Sequence, residues 1–367
     1  MSGYQVLKND LPIFTVNCFL EAKCRMSSNT GKQYAYRICK YLNYLQEVRK
    51  VDHKEATKKD VAKFLDTLLF ESEGLVYIDK SRVAYNTVSM YLTVIKEFYR
   101  YLEDELHEST NIKLDRVKGN SKGRYLYGQL WSFDTKNFLN GRIKSMKGSK
   151  EYIKWYSDEE IEALLDNFIT QRDKAIFLLS LEGLRIDEIL SLRVCDFDAT
   201  ECTVTPYRSK GKETGNVASV VVITNECQEA ISNYMYCERD EVIMSLEEKC
   251  EELEYPNELF LNLKQGPFMG KAVTYRNILD IFKKTAERAN IDPKKIRTHS
   301  GRSTKTMNLL YYQNENPEKL SDEKIREIMR WSSPNSIKSY INTKDKRLAL
   351  DAAKKISKMN KKKVEDE

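Results

Sequence analysis

Between Asn86 and Leu106 the chain spaces Val88, Tyr91, Leu92, Ile95, Phe98, Tyr99 and Leu102 three or four residues apart, which lines them along one face of an α-helix. Asn86 is a suitable N-cap, because its side-chain oxygen can accept from the first-turn N–H groups. So wide an apolar stripe has to be covered by other elements. Residues 27–48 supply one, with Ser and Asn caps ahead of Tyr34, Ile38, Tyr41, Leu42, Leu45 and Val48. Residues 59–70 supply another through Val61, Phe64, Leu65 and Leu68. The first hundred or so residues are therefore expected to form a small all-helical bundle.

A different composition follows. From Lys113 to Lys150 ten basic residues, Lys122 and Arg124 among them, stand against only Asp115 and Asp134. Tyr125, Tyr127, Trp131 and Phe133 are interleaved, and five glycines break any long helix. Such a run attracts phosphate and offers rings for stacking, although composition alone fits a solvated linker equally well. Helical signals resume with Ser157 and Glu160, an S-x-x-E capping box before Ile161, Leu164, Leu165 and Phe168. Arg172 to Glu182 reads as the next helix, stopped by Gly183, and Ile186, Ile189, Leu190 and Leu192 as a third. Strand-like residues appear at 202–207 and 217–223, with a hairpin suggested by Gly211 and Gly215, before helical periodicity returns from Thr274. The expected fold is mainly α with a small β-sheet: an all-helical N-terminal domain over 1–110, a basic linker over 111–150, a mixed α+β domain over 151–342 and a tail over 343–367.

The bulk numbers narrow the class of protein. At 367 residues there is material for two or three domains, and 41% hydrophobic with 32% charged residues describes a globular chain rather than a disordered one. No run of about 18 apolar residues occurs, and the N-terminus lacks the pattern of a secretory signal, so a cytoplasmic protein is expected. Eight scattered cysteines without a CxxC pair argue against a disulfide framework and against zinc, and are expected to be reduced, mostly buried small hydrophobes. With only three histidines, a His-built metal site is not expected either. The net charge of +6 is weak evidence for a polyanionic partner; the local basic run says more.

Three stretches carry residues suited to chemistry on a phosphate. Glu182-Gly-Leu-Arg-Ile-Asp-Glu188 puts Arg185 at a helix start, where a guanidinium can meet an anion beside backbone N–H groups. Thr298-His-Ser-Gly-Arg302 places His299 and Arg302 three residues apart, near one helix face. Arg330-Trp-Ser-Ser-Pro-Asn-Ser-Ile-Lys-Ser-Tyr340 flanks a turn with Trp331 and Tyr340. Taken singly, each is as readily structural: a helix-end arginine, a satisfied histidine, one tyrosine among 22.

Together, in this order, the three stretches resemble the tyrosine recombinase family, which includes phage integrases, the Xer recombinases and Cre. Gly183, Leu184, Arg185 and Glu188 match its G-L-R-x-x-E segment, with Leu192 and Asp196 continuing the pattern. His299 and Arg302 match its H-x-x-R, Trp331 stands where members carry His or Trp, and Tyr340 follows nine positions later. A hairpin lysine of the family is matched by Lys210, with Lys212 as the alternative. The resemblance implies that Tyr340 is the nucleophile, Arg185 and Arg302 clamps on the scissile phosphate, Glu188 the supporting acid, Lys210 the general acid, and His299 and Trp331 orienting groups. It also implies a clamp around double-stranded DNA, an N-terminal core-binding domain of SAM-like type with Lys32 and Arg37 as candidate contacts, and Lys122 and Arg124 as contacts from the linker. A homo-oligomer, tetrameric when two sites are paired, would form through the tail, with no cofactor, metal or ATP. Two departures stand out: Arg330 replaces the usual glycine before the His/Trp position, and Tyr311 to Ser321 lengthens a connection.

Attack on a phosphodiester builds charge on the non-bridging oxygens, which two bidentate arginines can take up, while a tyrosyl phosphodiester conserves the bond energy for rejoining. A type IB topoisomerase-like relaxing activity, or a non-cleaving DNA-binding protein of the same fold, are the alternatives. The helical bundle is expected to start within about twenty residues of Met1, so a simple recombinase without a separate arm-site domain is expected. Movement of a mobile element, or a related site-specific exchange, is the expected task; the target sequence is not readable from the chain.

Overall fold

The computed structural model describes residues 3–26, 28–69, 85–112, 153–206, 220–248 and 254–365, with side chains in the last helix as far as 354. The basic run from Lys113 to Lys150 and the hairpin containing Lys210 and Lys212 lie outside the described residues. The chain divides into two compact units, Met1–Lys150 and Glu151–Glu367.

In the first unit a two-stranded hairpin, β1 (Leu7–Lys8) and β2 (Leu11–Pro12), turns through Asn9 and Asp10 at positive φ and leads into α1 (Phe14–Met26). The expected helices follow as α2 (Ser28–Tyr44), extended by a π-helical turn over Leu45–Arg49, then α3 (Lys58–Leu69) and α4 (Tyr85–Asp104). Their stripes meet in one core around Phe19, Tyr41, Phe64, Phe98 and Tyr99. Helix α1 was not among the expected elements; it contributes Val16, Phe19 and Leu20 to that core. Two tyrosine hydroxyls that this packing buries are paired within it: those of Tyr41 and Tyr99 lie 3.0 Å apart, and Tyr99 donates to the His53 carbonyl at 2.8 Å.

Of the two α2 residues expected to meet DNA, Lys32 is exposed but Arg37 is only 8% exposed. Its guanidinium donates to the Gln33 carbonyl and side-chain oxygens at 2.9 and 2.7 Å and lies over the Tyr91 ring at 5.6 Å. Arg37 is thus a packing residue between α2 and α4, because helix periodicity turns it inward. The cysteines also depart from expectation. Of the seven described, all free, only Cys227 is buried, while Cys195 and Cys237 are exposed.

The second unit opens with α5 (Asp158–Asp166), capped as expected by reciprocal bonds between Ser157 and Glu160. Helix α6 (Gln171–Leu181) is its central rod, buried from Ala175 to Ser180, with an internal Arg172–Asp173 ion pair at 2.6 Å. The short helix α7 (Ile186–Leu190) follows the Gly183 turn. A three-stranded antiparallel sheet is ordered β3 (Phe197–Asp198), β4 (Thr203–Val204), β5 (Val221–Val222), with Phe197 opposite Val204 and Val204 opposite Val221. Helices α8 (Asn225–Asn233) and α9 (Asp240–Glu247) come next, joined by a π-helical turn, then α10 (Tyr275–Arg288), α11 (Ser300–Glu315), α12 (Asp322–Ile328) and α13 (Lys338–Glu365).

Ring packing among Phe168, Phe177 and Phe282 marks the main core. A smaller cluster of Met307, Leu310, Ile325, Met329, Ile337 and Tyr340 binds α11, α12 and α13 together. Within the lengthened connection expected over 311–321, residues 311–315 are the last turn of α11 and 316–321 form the turn into α12. The tail expected from residue 343 is a continuation of the helix that carries Tyr340.

Candidate active site

Three chain turns bring the candidate residues of the second unit together. The first is the end of α6, where Gly183 adopts φ +88°, a conformation that favours glycine. It delivers Arg185 to the N-cap of α7 and Glu188 to the first turn of that helix. Glu188 Oε2 accepts from the Arg185 backbone N–H at 2.9 Å, and Oε1 from Arg185 Nη1 at 2.5 Å. Burial disfavours the charge of Glu188, which is 2% exposed, yet the Arg185 N–H and the Arg330 and Arg185 guanidinia outweigh it and hold its carboxyl below the usual carboxylate range.

The second turn starts α11, where His299 is the N-cap and Arg302 sits on the first turn. Gly301 allows this helix to touch α6: a Cβ there would lie 2.1 Å from Ser180 Oγ and 2.9 Å from the Ser180 carbonyl carbon. Arg302 is 1% exposed and donates to the carbonyls of Gly183 and Met329, so it ties the first turn to the third. Burial, with the nearby Arg185 charge, pushes its guanidinium down to about 9, while Glu188 opposes the shift.

The third turn follows α12. Arg330 takes φ +51°, Arg330 and Trp331 donate backbone N–H groups to the Glu327 and Arg326 carbonyls, and a Ser333-capped turn leads to α13. There Tyr340 is buried, its ring stacked on Trp331 with centroids 5.6 Å apart and planes at 26°. Its hydroxyl lies 3.3 Å from Ser303 Oγ, next to Arg302 on α11. The Arg302 guanidinium in turn lies over Trp331 at 5.9 Å.

Arg185, Glu188, Arg302, Trp331 and Tyr340 are thus one connected cluster. Ser303 and the side chain of Arg330 join it without having been foreseen. Arg330 Nη2 donates to Glu188 Oε2 at 2.9 Å. His299 stands three residues before Arg302, exposed, on the rim of an open cleft of ≈ 550 Å³ shared with Tyr275, Lys283, Lys294, Arg297 and Thr298. Chemically, the cluster offers several guanidinia to one anion, beside a phenolic hydroxyl held by packing and one hydrogen bond.

Comparison with known proteins finds family matches in both units. The pattern defining the phage integrase family matches residues 154–347, and that of the phage integrase N-terminal SAM-like domain matches 18–105. Transposase A from transposon Tn554 of Staphylococcus aureus is 29% identical over 284 residues, 72% of this chain and 71% of that protein. The tyrosine recombinase XerC of Halalkalibacterium halodurans is 26% identical over 234 residues, 62% of this chain and 69% of that one. Among solved structures, the XerH site-specific recombinase in a post-cleavage complex with palindromic difH substrate shares the fold at a TM-score of 0.58 and 16% identity, covering 96% of this chain and 91% of that one. The Tn1549 transposon integrase in complex with circular intermediate DNA does so at 0.57 and 16%, covering 89% and 94%.

Proposed function

The chain belongs to the phage integrase family of tyrosine recombinases, and on that premise we propose that it is a site-specific DNA recombinase working through a 3′-phosphotyrosine bond at Tyr340. In the cleavage step Tyr340 Oη attacks the scissile phosphorus, the P–O5′ bond breaks, and the departing 5′ oxygen takes a proton. Lys210, with Lys212 as the alternative, supplies that proton. In the joining step a 5′ hydroxyl from the partner duplex attacks the phosphotyrosine and releases Tyr340. The number of phosphodiester bonds is conserved, so no ATP is consumed.

Arg185 and Arg302 take up the charge that grows on the non-bridging oxygens, and Glu188 fixes Arg185 for that task. His299 and Trp331 orient phosphate and nucleophile. The observation that carries the reading is the packing of Tyr340: its ring stacks on Trp331, which lies against Arg302, and its hydroxyl meets Ser303 beside that same arginine.

The substrate is double-stranded DNA with paired sites, bound by the helical unit over 1–110, the basic linker over 111–150 and the catalytic unit from 151. Lys32, Lys122 and Arg124 are phosphate contacts in this scheme. The relatives from transposons support movement of a mobile element as the task. Exposed Leu348 and Leu350 on α13 support docking of the tail on a neighbouring subunit, in a tetramer at synapsis. Among the described residues no helix is long and apolar enough to cross a membrane, and a cytoplasmic, DNA-associated location fits the substrate.

The test is a nicked suicide duplex, carrying a site selected by binding from a random library, whose cleaved end cannot be rejoined. A covalent protein–DNA adduct is expected from the wild type and none from Tyr340→Phe. Binding without an adduct refutes the proposal. Relaxation of arbitrary supercoiled DNA without exchange between paired sites would favour a topoisomerase instead.

A further inference from the structure

Arg330 stands in a position that side chains avoid, yet its guanidinium is deployed at the centre of the site. Its φ of +51° is one that glycine adopts freely and that crowds any residue with a Cβ. Its side chain is 10% exposed, and Nη2 reaches both Glu188 Oε2 at 2.9 Å and the Gly183 carbonyl at 3.4 Å. Both acceptors are already in use: Glu188 holds Arg185, and the Gly183 carbonyl also receives Arg302. Among the described residues the cluster therefore sets three guanidinia, two of them bonded to Glu188, beside a single buried carboxylate, an excess of two positive charges. Like charges crowded at shared acceptors repel one another, so stability alone would not select a third cation here.

The excess charge has a use in the proposed reaction, on which this inference rests. A phosphodiester carries one negative charge, and attack by a phenolate brings the second. The phosphoryl group therefore passes through a state with two negative charges, the number that the cluster lacks. We propose that Arg330 is a positioning residue for strand cleavage: through Glu188 and the Gly183 carbonyl it locks the Trp331–Tyr340 turn to the Arg185 turn, and its charge matches the cluster to the transition state rather than to the bound substrate. Interactions of that kind raise the rate of the chemical step and leave ground-state affinity almost unchanged.

The experiment compares wild type, Arg330→Gly and Arg330→Lys on nicked suicide duplexes of the selected site, with either a phosphodiester or a neutral methylphosphonate at the cleavage position. Glycine suits the backbone at residue 330, so this variant is expected to fold, and circular dichroism checks it. Arg330→Gly should bind the phosphodiester duplex within about twofold of wild type but form adduct roughly 10- to 100-fold more slowly. Arg330→Lys should recover part of that loss, since it keeps the charge on a shorter side chain without the planar guanidinium. On the methylphosphonate, which needs one charge less, the deficit of Arg330→Gly should shrink.

Wild-type cleavage by Arg330→Gly overturns the inference. So does an equal deficit on both substrates with no recovery by lysine, the pattern of a merely structural residue. A wild-type chain that binds its duplex yet forms no adduct overturns the recombinase reading and this inference together, an outcome distinct from the other two.

Discussion

Replacing Gly301 by alanine tests the seat of Arg302 directly. The new Cβ would lie 2.1 Å from Ser180 Oγ and 2.9 Å from both the Ser180 carbonyl carbon and Cβ, where ordinary contacts begin near 3.4 Å. The hydroxyl cannot simply swing away, since it donates to the Phe177 carbonyl at 2.6 Å and is buried. Backbone on the buried face of α6 is less able still to yield. Helix α11 must therefore back off by about half an ångström, and overpacking of this kind costs roughly 1–3 kcal/mol. For a unit of this size that is a fall in Tm of about 2–12 °C. Arg302 is the next residue and is bonded to two fixed carbonyls, so the same shift should slow adduct formation about 10- to 100-fold. Thermal melting and single-turnover cleavage read the two effects. Adding Ser180→Ala removes the hydroxyl clash but not the backbone one, so it should restore only part of the loss. A Gly301→Ala chain with wild-type melting and cleavage would refute the packing argument.

Glu188→Ala strips the acceptor from three donors and leaves the part-buried Arg185 and Arg330 guanidinia without their carboxylate, which should cost about 1–3 kcal/mol in thermal or denaturant unfolding. Because the folded protein holds the Glu188 carboxyl below its usual range, its contribution is fully present above a pH of about 4.3 and is lost as pH falls through the lower folded value. The gap in melting temperature between wild type and Glu188→Gln should accordingly narrow in acid, and a gap that widened would contradict the ion-pair assignment. Trp331→Ala removes the ring that stacks on Tyr340, and should lower the adduct rate at least about tenfold with little change in DNA affinity, while Trp331→Phe keeps part of the rate. Arg37→Ala should destabilise the N-terminal unit by about 1–3 kcal/mol through its lost hydrogen bonds, whereas Lys32→Ala should leave melting unchanged and flatten the salt dependence of DNA binding by about one unit.

Much of this molecule is written locally. The capping box at Ser157 and Glu160, the stop at Gly183 and the stripe of α4 each depend on neighbours within one or two turns, and each forms where the sequence indicates. Helix α1 is harder to read, because it commits only Val16, Phe19 and Leu20 to the core and leaves Phe14 exposed. Arg37 turns inward because residue type gives only a tendency and the phase of α2 decides which side chains face the core, whereas Cys195 and Cys202 lie in turns between elements. The candidate site was legible through the spacing of Arg185, His299, Arg302, Trp331 and Tyr340 that marks the family resemblance. Ser303 and the Arg330 guanidinium were not, since neither residue type signals its role. Their partners lie 37 and 142 positions away, and only the fold brings them into contact.

The central claim is that one tyrosine among 22 becomes joined to DNA. Trapping the adduct on the suicide duplex, digesting with trypsin and sequencing the DNA-linked peptide by mass spectrometry identifies which one it is. The account predicts a nucleotide-bearing peptide spanning Ser339 to Lys344, with the phosphoryl group on Tyr340. Attachment at any other residue would contradict it.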